Sequence, residues 1–553
     1  MARKNILFIM CDQLRYDYLG CTGHPTIKTP NIDKLAARGV TFANTTCQSP
    51  ICGPSRMCVY TGRYVSSHGA TSNFTPLRIG EQNIGHHLNP LGVRTVLVGK
   101  THVIPDTEGM ARLGIDPDSA IGRDHAQGGF EVVERDDGIH PDTMVKPTLA
   151  YNKYLRERGY TEDDNPWHWA ANAVQVGDEV RSGFFNDRVD LPARVTDEDS
   201  ETPYMTRRAM DFLAEDDGET PWMLHLSYIK PHWPYVAPAP YHNMYGPDDV
   251  VPAIKSEAER DDPNPLAKFY MDRVAGKTFS DEEARQRVIP AYMGLITQID
   301  DQLGILFDFM EERGMLEETM IVFTSDHGDY MGDHWMGDKD YFHTPSVNVP
   351  LIIADPSAQA DGTRGTTNHS LVELIDLVPT FVDFHGGEVH HNVLDGHSLM
   401  PLIHAASADA AARTPWRDYT VSEYDYSCQV FCPQTGRAPL DCRSYMIATA
   451  EWKYIHAPGF PPVLFDLTID PDELVDLGRS DRPEHVTARA MMHAKLGDWS
   501  LRYRQRATWS EARNVQMTGM EEQLGVLIGY WDEASALGKD PKILPQRFRK
   551  SDA

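Results

Sequence analysis

The chain has 553 residues, too many for one small core, so we expect a large domain accompanied by a smaller one. Its formal net charge is −29 and it contains no block of Lys and Arg, which argues against nucleic acid or an anionic membrane as a partner. An anionic ligand would therefore need a local reversal of the field, which Arg56, Lys100, Lys339 and a bound metal ion could supply.

The first apolar run, Asn5 to Cys11, predicts a central strand of a parallel sheet, with Asp12 at its carboxyl end. The run is shorter than a signal-peptide core, and no stretch of the sequence is long enough to span a bilayer. We therefore expect a cytoplasmic protein without a membrane partner, whose eight cysteines are reduced thiols. Cys428 and Cys432 lack a second pair at zinc spacing and are interpreted as structural.

A short helix over Thr29–Gly39 and a strand over Val40–Ala43 lead to an unusual segment, Ser49-Pro50-Ile51-Cys52-Gly53-Pro54-Ser55-Arg56. Pro54 predicts a helix start with Cys52 just ahead of the first turn. The free backbone N–H groups and the positive end of the helix dipole would then face Cys52, and Arg56 would fold back toward the same point. This pattern predicts an oxyanion site.

Helices and strands alternate through the following part of the chain. Helices are predicted over Glu81–Leu88, Val288–Arg313 and Leu371–Phe384, the last with a kink at Pro379. Buried strands are predicted over Arg94–Val98, Trp222–Ile229, Met320–Thr324 and Val349–Ala354. Residues 105–220 are charged and interrupted by Gly and Pro, and we interpret them as insertions and lid loops. The alternation predicts a doubly wound α/β domain over residues 1–415.

The pattern changes after residue 415. Short strands separated by turn residues are predicted over Tyr419–Glu423, Tyr445–Thr449, Trp452–His456 and Val463–Asp466. They indicate a smaller C-terminal domain over residues 416–490, built on an antiparallel sheet. Residues 491–553 are expected to form a helical and then irregular tail that contacts another copy in a homo-oligomer, a dimer or a tetramer.

Two pairs of polar side chains directly follow apolar strands. Asp12 and Gln13 follow the first strand, and Asp326 and His327 follow the strand over Met320–Thr324. Because ligands of open α/β sheets bind at the carboxyl ends of the strands, we expect these four side chains to converge there. Ionisable groups at a buried strand end are costly without a partner, so the pattern favours a metal site.

The segment from Cys52 to Gly62 resembles the signature of the sulfatase family, with Tyr60 where an aliphatic residue, Phe or Trp is usual. The segment from Gly92 to His102 resembles the family's second signature, with Thr101 where an aromatic residue is usual. The resemblance implies the formylglycine-dependent type I sulfatase and phosphonate monoester hydrolase branch of the alkaline phosphatase superfamily. It also implies that family's fold, α/β, in which helices flank a mostly parallel central sheet and a smaller C-terminal domain carries an antiparallel sheet.

The resemblance also implies a set of site residues. A separate formylglycine-generating enzyme would oxidise Cys52 to an aldehyde, whose hydrate is the nucleophile. The other residues that it implicates are Arg56 for charge stabilisation, Lys100 and Lys339 for substrate binding, His102 as a base, His232 as the acid for the leaving group and Asn73 as a further substrate contact.

The family places its metal ligands on the two strand-end segments, together with position 52. Gln13 stands where a second Asp is frequent, and His327 stands where an amide is frequent. Because imidazole in place of oxygen shifts preference from calcium toward manganese, one divalent ion is expected and both metals stay open.

Three functions are compatible with these residues. The leading hypothesis is hydrolysis of aryl or small alkyl sulfate esters, because Lys100 and His102 replace the Tyr and Thr that phosphonate hydrolases tend to carry. The alternative is hydrolysis of phosphonate monoesters or phosphodiesters by the same groups, which the Asp-Gln and Asp-His segments favour. The third is a non-catalytic protein that binds anions or metal, with Cys52 a plain thiol.

Overall fold

The computed structural model describes residues 4–503, 508–524, 529 and 531–532. Its strands are β1 (Asn5–Asp12), β2 (Val40–Thr46), β3 (Arg94–Gly99), β4 (Glu131–Arg135), β5 (Ala173–Val176), β6 (Glu179–Ser182), β7 (Trp222–Pro231), β8 (Thr319–Ser325), β9 (Leu351–Ala354), β10 (Thr366–Glu373), β11 (Thr420–Asp425), β12 (Arg443–Ala448), β13 (Trp452–His456) and β14 (Val463–Asp466).

Its α-helices are α1 (Pro30–Arg38), α2 (Cys52–Thr61), α3 (Val65–His68), α4 (Ile84–Leu88), α5 (Thr107–Leu113), α6 (Ala120–Gln127), α7 (Ala150–Glu157), α8 (Glu201–Ala214), α9 (Pro265–Asp272), α10 (Val274–Ser280), α11 (Glu282–Glu312), α12 (Thr344–Val347), α13 (Leu377–Phe384), α14 (Met400–Ile403), α15 (Ala408–Ala412), α16 (Phe431–Gln434), α17 (Pro483–Tyr503), α18 (Glu511–Met517) and α19 (Met520–Gln523).

The central sheet has eight strands in the order β10-β2-β9-β8-β1-β7-β3-β4. β1 pairs in parallel with β7 and β8, and β3 pairs in parallel with β7 and β4. Only β9 runs against its neighbours in this sheet, β8 and β2. The predicted mostly parallel sheet is therefore confirmed, with one reversed strand.

Both faces of the central strand are buried, which explains its unbroken apolar sequence. Ile6 and Phe8 join the hydrophobic cluster that includes residues of α2 and α13. Leu7 and Ile9 join the second cluster, which includes residues of α8 and α11. Since successive side chains of a strand point to opposite faces, β1 contributes to both cores at once.

The register of the strands brings several loops to one edge of the sheet. Cys11 lies opposite Ser325 and Asp12 lies opposite Pro231, so β1, β7 and β8 end side by side. β3 ends at Gly99, opposite Ser227 of β7. The residues that follow these strands therefore emerge together at the carboxyl edge, where α/β sheets bind ligands.

Two predicted elements differ from the structure. The expected kinked helix over residues 371–384 is strand β10, a short turn and helix α13. Pro379 is the third residue of α13, where a backbone N–H has no intrahelical partner, so it causes no kink. Residues 105–220 are not only insertions, since β4 pairs with β3 in the central sheet and α8 packs into the core on one of its faces.

The C-terminal sheet has the order β11-β12-β13-β14 and is antiparallel throughout, which confirms the predicted architecture. Met492 and Trp499 of α17 pack with Ile447 and Leu464 of this sheet in a separate hydrophobic cluster. The amphipathic α17 thus covers one face of the sheet.

Cys432 and Cys442 form a disulfide, so the expectation that all eight cysteines are reduced is wrong for this pair. Their Cα atoms lie 6.0 Å apart, within the range that a disulfide spans. The turn between them, which includes α16, brings the two residues together, and the sequence spacing alone does not specify that. The other six cysteines are free thiols.

The chain forms two compact units, Met1–Val389 with Leu394–Arg504, and His390–Val393 with Gln505–Ala553. Both large sheets belong to the first unit, and the predicted domain boundary at residue 415 stays a prediction. In the second unit, the Ser510 hydroxyl caps α18 by accepting a hydrogen bond from the Arg513 N–H. Much of the predicted tail over residues 491–553 lies outside the described residues. Among the described helices, none is both long enough and apolar enough to traverse a bilayer.

Candidate active site

Cys52 is the first residue of α2 and is buried. The helix begins two residues earlier than Pro54 suggests, because the Ser55 N–H already bonds to the Ile51 carbonyl. The side chain of Asn73 accepts a hydrogen bond of 2.8 Å from the Gly53 N–H. Asn73 therefore satisfies one of the free donors at the start of α2, and its predicted contact with the substrate stays a prediction.

Arg56 lies one turn into α2 and is fully buried. Its Nε donates to Asp326 at 2.8 Å and its Nη2 to Asp12 at 3.1 Å, while Nη1 donates to the Ser227 hydroxyl and the Lys100 carbonyl. The guanidinium thus binds the two carboxylates directly, and its predicted role toward an anion at Cys52 stays a prediction. Two buried carboxylates need a counter-charge, and Arg56 supplies it to both and fixes their orientation.

Four side chains form a buried cluster at the carboxyl edge of the sheet. Asp12, Cys52, Asp326 and His327 each contribute one possible ligand atom, and these four atoms all lie within 4.8 Å of one another. The sequence predicted this convergence because Asp12 and Asp326 follow adjacent parallel strands. The Cys52 Sγ lies 3.1 Å from His327 Nε2 and 3.5 Å from an oxygen of Asp12.

The ring of His327 is oriented by its own loop. Its Nδ1 lies 2.9 Å from the Gly328 carbonyl, so this nitrogen donates and Nε2 is left to face the cluster. Burial would lower the pKa of His327, but the Asp326 carboxylate raises it to about 9. The Asp326 carboxylate thus favours positive charge at His327 Nε2, whether a proton or a metal ion supplies it.

Gln13 completes the cluster from a strained backbone, with φ at 66°. Its Oε1 accepts a hydrogen bond of 3.0 Å from Lys339 Nζ. Its Nε2 faces Asp329, Tyr235 and Asp338. The amide therefore lies between the ammonium group of Lys339 and an acidic environment.

The Cys52 thiol is surrounded by positive charge. Lys339 Nζ lies 3.2 Å from the Sγ, and Lys100 Nζ lies 2.5 Å from Asp12 Oδ2. Burial raises the pKa of the Cys52 thiol, but Lys100, Lys339 and His327 together lower it well below its ordinary value. The site therefore favours an anion at position 52, and the two lysines and His327 are the main source of this field.

His232 follows β7 and is buried beside Lys339. Its Nδ1 lies 2.7 Å from the Trp233 carbonyl and its Nε2 lies 3.0 Å from Lys339 Nζ. Burial and the Lys339 ammonium lower the pKa of His232, so the ring is neutral at pH 7 with Nδ1 protonated. The sequence thus placed His232 correctly at the site, next to the cation that also contacts Cys52.

His102 is held in a left-handed conformation, with φ at 60°. Asp137 fixes this turn by accepting hydrogen bonds from the backbone N–H groups of Thr101 and His102, each 2.9 Å long. A hydrogen bond from His102 contributes to the lowered pKa of the Cys52 thiol. The sequence predicted His102 but missed Asp137, which follows a different strand and has no neighbouring motif.

The sequence also did not predict Asp329, Tyr235 and Asp338 as residues of the site. Asp329 lies two residues beyond His327 and Asp338 immediately precedes Lys339, so both stood inside segments already singled out. Burial, and to a lesser extent Asp338, raises the pKa of Asp329 to about 6. The sequence could not reveal the contact between Asp329 and Gln13, because more than 300 residues separate the two in the chain.

A cavity of about 720 Å³ has Trp233 and Asp338, the chain neighbours of His232 and Lys339, in its wall. The ring centroids of Trp233 and His232 lie 4.5 Å apart, which links the cavity to the site. The apolar part of the wall comes from distant segments and includes Phe184, Phe269, Val274 and Val430, while Asp272 and Arg273 add charged groups to it. Trp167, by contrast, is buried in the core and does not line this cavity.

A family model described as Sulfatase matches residues 4–387, and one described as N-sulphoglucosamine sulphohydrolase, C-terminal, matches residues 332–501. The chain is 33% identical over 504 residues to the multifunctional alkaline phosphatase superfamily protein PehA of Trinickia caryophylli, a match that covers 86% of this chain and 91% of that protein. It is 28% identical over 485 residues to an arylsulfatase of Clostridium perfringens, covering 87% of this chain and 91% of the relative.

Among solved structures, phosphonate monoester hydrolase of Agrobacterium radiobacter superimposes with a TM-score of 0.78 at 28% identity, covering 91% of this chain and 96% of that chain. The similarities therefore extend over the central sheet, the buried cluster and the C-terminal sheet. They confirm the alkaline-phosphatase-like architecture expected from the two signatures.

Proposed function

Since the chain belongs to the sulfatase family, we propose that it hydrolyses sulfate monoesters of aryl or small alkyl type, through a formylglycine at position 52 and one divalent ion. The observation that carries the proposal is the position of Cys52. Its Sγ lies at the start of a helix, beside His327 and Lys339, in a buried environment that favours negative charge.

The buried cluster suits a divalent ion. Asp12, Asp326, His327 and Gln13 would hold it, together with position 52. Carboxylate and amide oxygens suit calcium, and the imidazole nitrogen favours manganese, so we propose one of these two ions. Once bound, the ion and the hydrated aldehyde would supply a polarised ester oxygen and an oxygen nucleophile with a second hydroxyl group.

The charged side chains around position 52 would bind the ester. Lys100 and Lys339 would neutralise its anionic oxygens and the charge that develops during the reaction, while Arg56 would keep Asp12 and Asp326 aligned. Both lysines are buried, where their charges are weakly screened.

Two histidines would move protons. His232 Nε2 would deliver a proton to the leaving oxygen, with its Nδ1 held by the Trp233 carbonyl. An anionic ester next to this ring would raise its pKa from the lowered value of the free site. His102, fixed by Asp137, would accept the proton of the second hydroxyl at position 52 when the product departs.

The cavity beside His232 supports an ester with an aryl or otherwise apolar leaving group. Since His232 would act on the leaving oxygen, the group attached to that oxygen would extend toward Trp233 and the apolar wall. Aromatic side chains bind such groups through both buried area and ring contacts.

Hydrolysis of phosphonate monoesters or phosphodiesters is the second candidate. It is favoured by the Asp-Gln and Asp-His segments and by the similarity to phosphonate monoester hydrolase of Agrobacterium radiobacter. The sulfur centre of a sulfate ester and the phosphorus centre of a phosphonate ester or phosphodiester both carry a tetrahedral, anionic group. We therefore propose some activity on both classes of ester.

The test compares kcat/KM on an aryl sulfate and an aryl phosphonate with the same leaving group, using the Cys52→Ala variant as a control. We expect the sulfate to be preferred and both activities to disappear in the variant. A large preference for the phosphonate would reverse the order of the two candidates, and full activity of the variant would exclude a nucleophile at position 52.

Three further proposals accompany this function. A formylglycine-generating enzyme would act on Cys52 before α2 is buried, since the thiol is 2% exposed in the folded chain. We also propose a homo-oligomer, a dimer or tetramer, and a cytoplasmic location.

A further inference from the structure

The amide of Gln13 has two different environments. Its Nε2 lies within hydrogen-bonding distance of Asp329 Oδ2, 3.4 Å from the Tyr235 hydroxyl and 3.3 Å from Asp338 Oδ1. Its Oε1 accepts a hydrogen bond from Lys339 Nζ, which also contacts the Cys52 Sγ. Acceptors therefore surround the nitrogen, and the oxygen lies on the side of the cluster.

Asp329 is fixed as an acceptor on both of its oxygens and is fully buried. Oδ2 accepts from Gln13 Nε2 and, at 2.7 Å, from the Tyr235 hydroxyl. Oδ1 accepts from the Met331 N–H at 3.0 Å. Because each of these neighbours is a donor to the carboxylate, an amide in its place would set one N–H group against another.

We propose that Asp329 is a positioning residue that orients the Gln13 amide, so that its oxygen and not its nitrogen is offered to the ion held by Asp12, Asp326 and His327. The inference rests on the proposed function only for the presence of that ion. An amide oxygen is a ligand for divalent cations, whereas an amide N–H is not. Groups that orient metal ligands typically change affinity by about 10- to 100-fold.

The same contact explains the identity of residue 13. An acid at this position would place its carboxylate against that of Asp329 in a buried site, where repulsion is weakly screened. Glutamine replaces that repulsion by a hydrogen bond and still presents an oxygen to the cluster. Gln13 and Asp329 therefore act as a matched pair.

The test exchanges the two members of the pair. Full-length protein stripped of metal is titrated with Mn²⁺, and separately with Ca²⁺, by calorimetry, for the wild type, Asp329→Asn, Gln13→Glu and the double variant. We expect each single substitution to weaken binding by about tenfold or more. The double variant should bind more tightly than either single variant, because the introduced asparagine would donate to the introduced glutamate while its own oxygen still accepts from the Met331 N–H; Asp338, which also faces position 13, limits the recovery.

Tyr235→Phe is the control, since it removes one donor to Asp329 but leaves the carboxylate and should cost less affinity than Asp329→Asn. If Asp329→Asn binds both ions within about twofold of the wild type, or if the two losses simply add, the positioning role is wrong. Should either single variant fail to fold, recovery of folding and binding in the double variant supports the pairing, and no recovery contradicts it. Unchanged affinities overturn only this inference, whereas a wild type that binds neither ion overturns the proposed metal site as well.

Discussion

Lys339 is a buried cation that contacts several groups of the site, including His232. Lys339 Nζ contacts His232 Nε2, the Cys52 Sγ and Gln13 Oε1, so one side chain connects the acid, the nucleophile position and a ligand. The Cys52 and Asp338 anions raise the pKa of Lys339 despite its burial, so the ammonium stays charged. A chain with a net charge of −29 thus presents a local cation to an anionic ester.

The role of His232 leads to a prediction about leaving groups. His232→Ala should slow esters of poorly activated alcohols by about 10²- to 10⁴-fold, because those oxygens need a proton as they depart. Activated aryl esters, whose phenolates leave unprotonated, should lose much less. The measurement is kcat over a series of leaving groups of increasing pKa, in wild type and variant. Equal losses across the series would exclude the acid role.

Residues at strand ends could be predicted from the sequence, and their partners could not. Asp12 and Asp326 each follow an apolar run, and parallel strands bring their ends together whatever the rest of the chain does. The partners of the Arg56 guanidinium, by contrast, could not be predicted. Only the three-dimensional positions of Asp12 and Asp326 show that it binds both carboxylates.

Among the helices, α1 depends on α11 for its N-terminal cap. Thr29 precedes α1 but makes no capping hydrogen bond with its side chain. Asp300 of α11 supplies the cap, since its carboxylate accepts hydrogen bonds from the backbone N–H groups of Asn31 and Ile32. A buried carboxylate thus joins two helices that pack beside β1.

This cap makes stability depend on pH. Burial raises the pKa of Asp300 from 3.8 to about 6, so the folded state holds its proton more tightly than the unfolded chain does. The ionised carboxylate therefore destabilises the fold as pH rises from about 4 to about 6, by up to about 3 kcal/mol above that range.

Asp300→Asn removes the titrating carboxylate. The amide keeps only one acceptor oxygen, and the stability that this costs does not depend on pH. The Tm of the variant relative to the wild type should therefore rise between pH 4 and pH 6.5 and then stay constant. Calorimetric unfolding of both proteins over this range provides the measurement. A difference in Tm that does not change with pH would contradict the raised pKa.

Elements with a strong periodic pattern were predicted well, and those defined by tertiary contacts were not. β1, β7 and β8 are continuous apolar runs, and the structure contains each of them. β10 is partly polar and partly exposed, and it is a strand because it pairs with β2. The bond between Cys432 and Cys442 likewise depends on a turn that no local pattern specifies.

At the scale of the whole molecule, the cavity wall combines segments that are far apart in sequence. Phe184 comes from the stretch interpreted as insertions, Phe269 and Val274 from α9 and α10, and Val430 from the segment just before the disulfide-bonded Cys432. Phe431 of the same segment stacks on Phe269 with ring centroids 4.8 Å apart, so this segment supports the wall. The sequence indicated that residues 105–220 contribute loops over the site, but it did not indicate that α9, α10 and the segment around Val430 complete the wall.

The wall predicts how substrate size should matter. Phe184→Ala should raise KM for esters with bulky aryl leaving groups by about tenfold, since a hydrophobic contact of this kind is worth roughly 1–3 kcal/mol. Small alkyl esters, which do not reach Phe184, should be hydrolysed as by the wild type. Steady-state kinetics on both classes, with Phe185→Ala as a neighbouring exposed control, provides the comparison. Equal effects on both substrates would show that this cavity does not bind the leaving group.

The central claim is that position 52 carries a formylglycine in the active enzyme. Mass spectrometry of the proteolytic peptide that contains residue 52, combined with labelling by an aldehyde-specific probe, tests it most directly. We predict that the peptide carries the mass of the aldehyde or its hydrate and that ester hydrolysis rises in proportion to the labelled fraction across preparations. Fully active protein with an unmodified thiol at Cys52 would contradict the account.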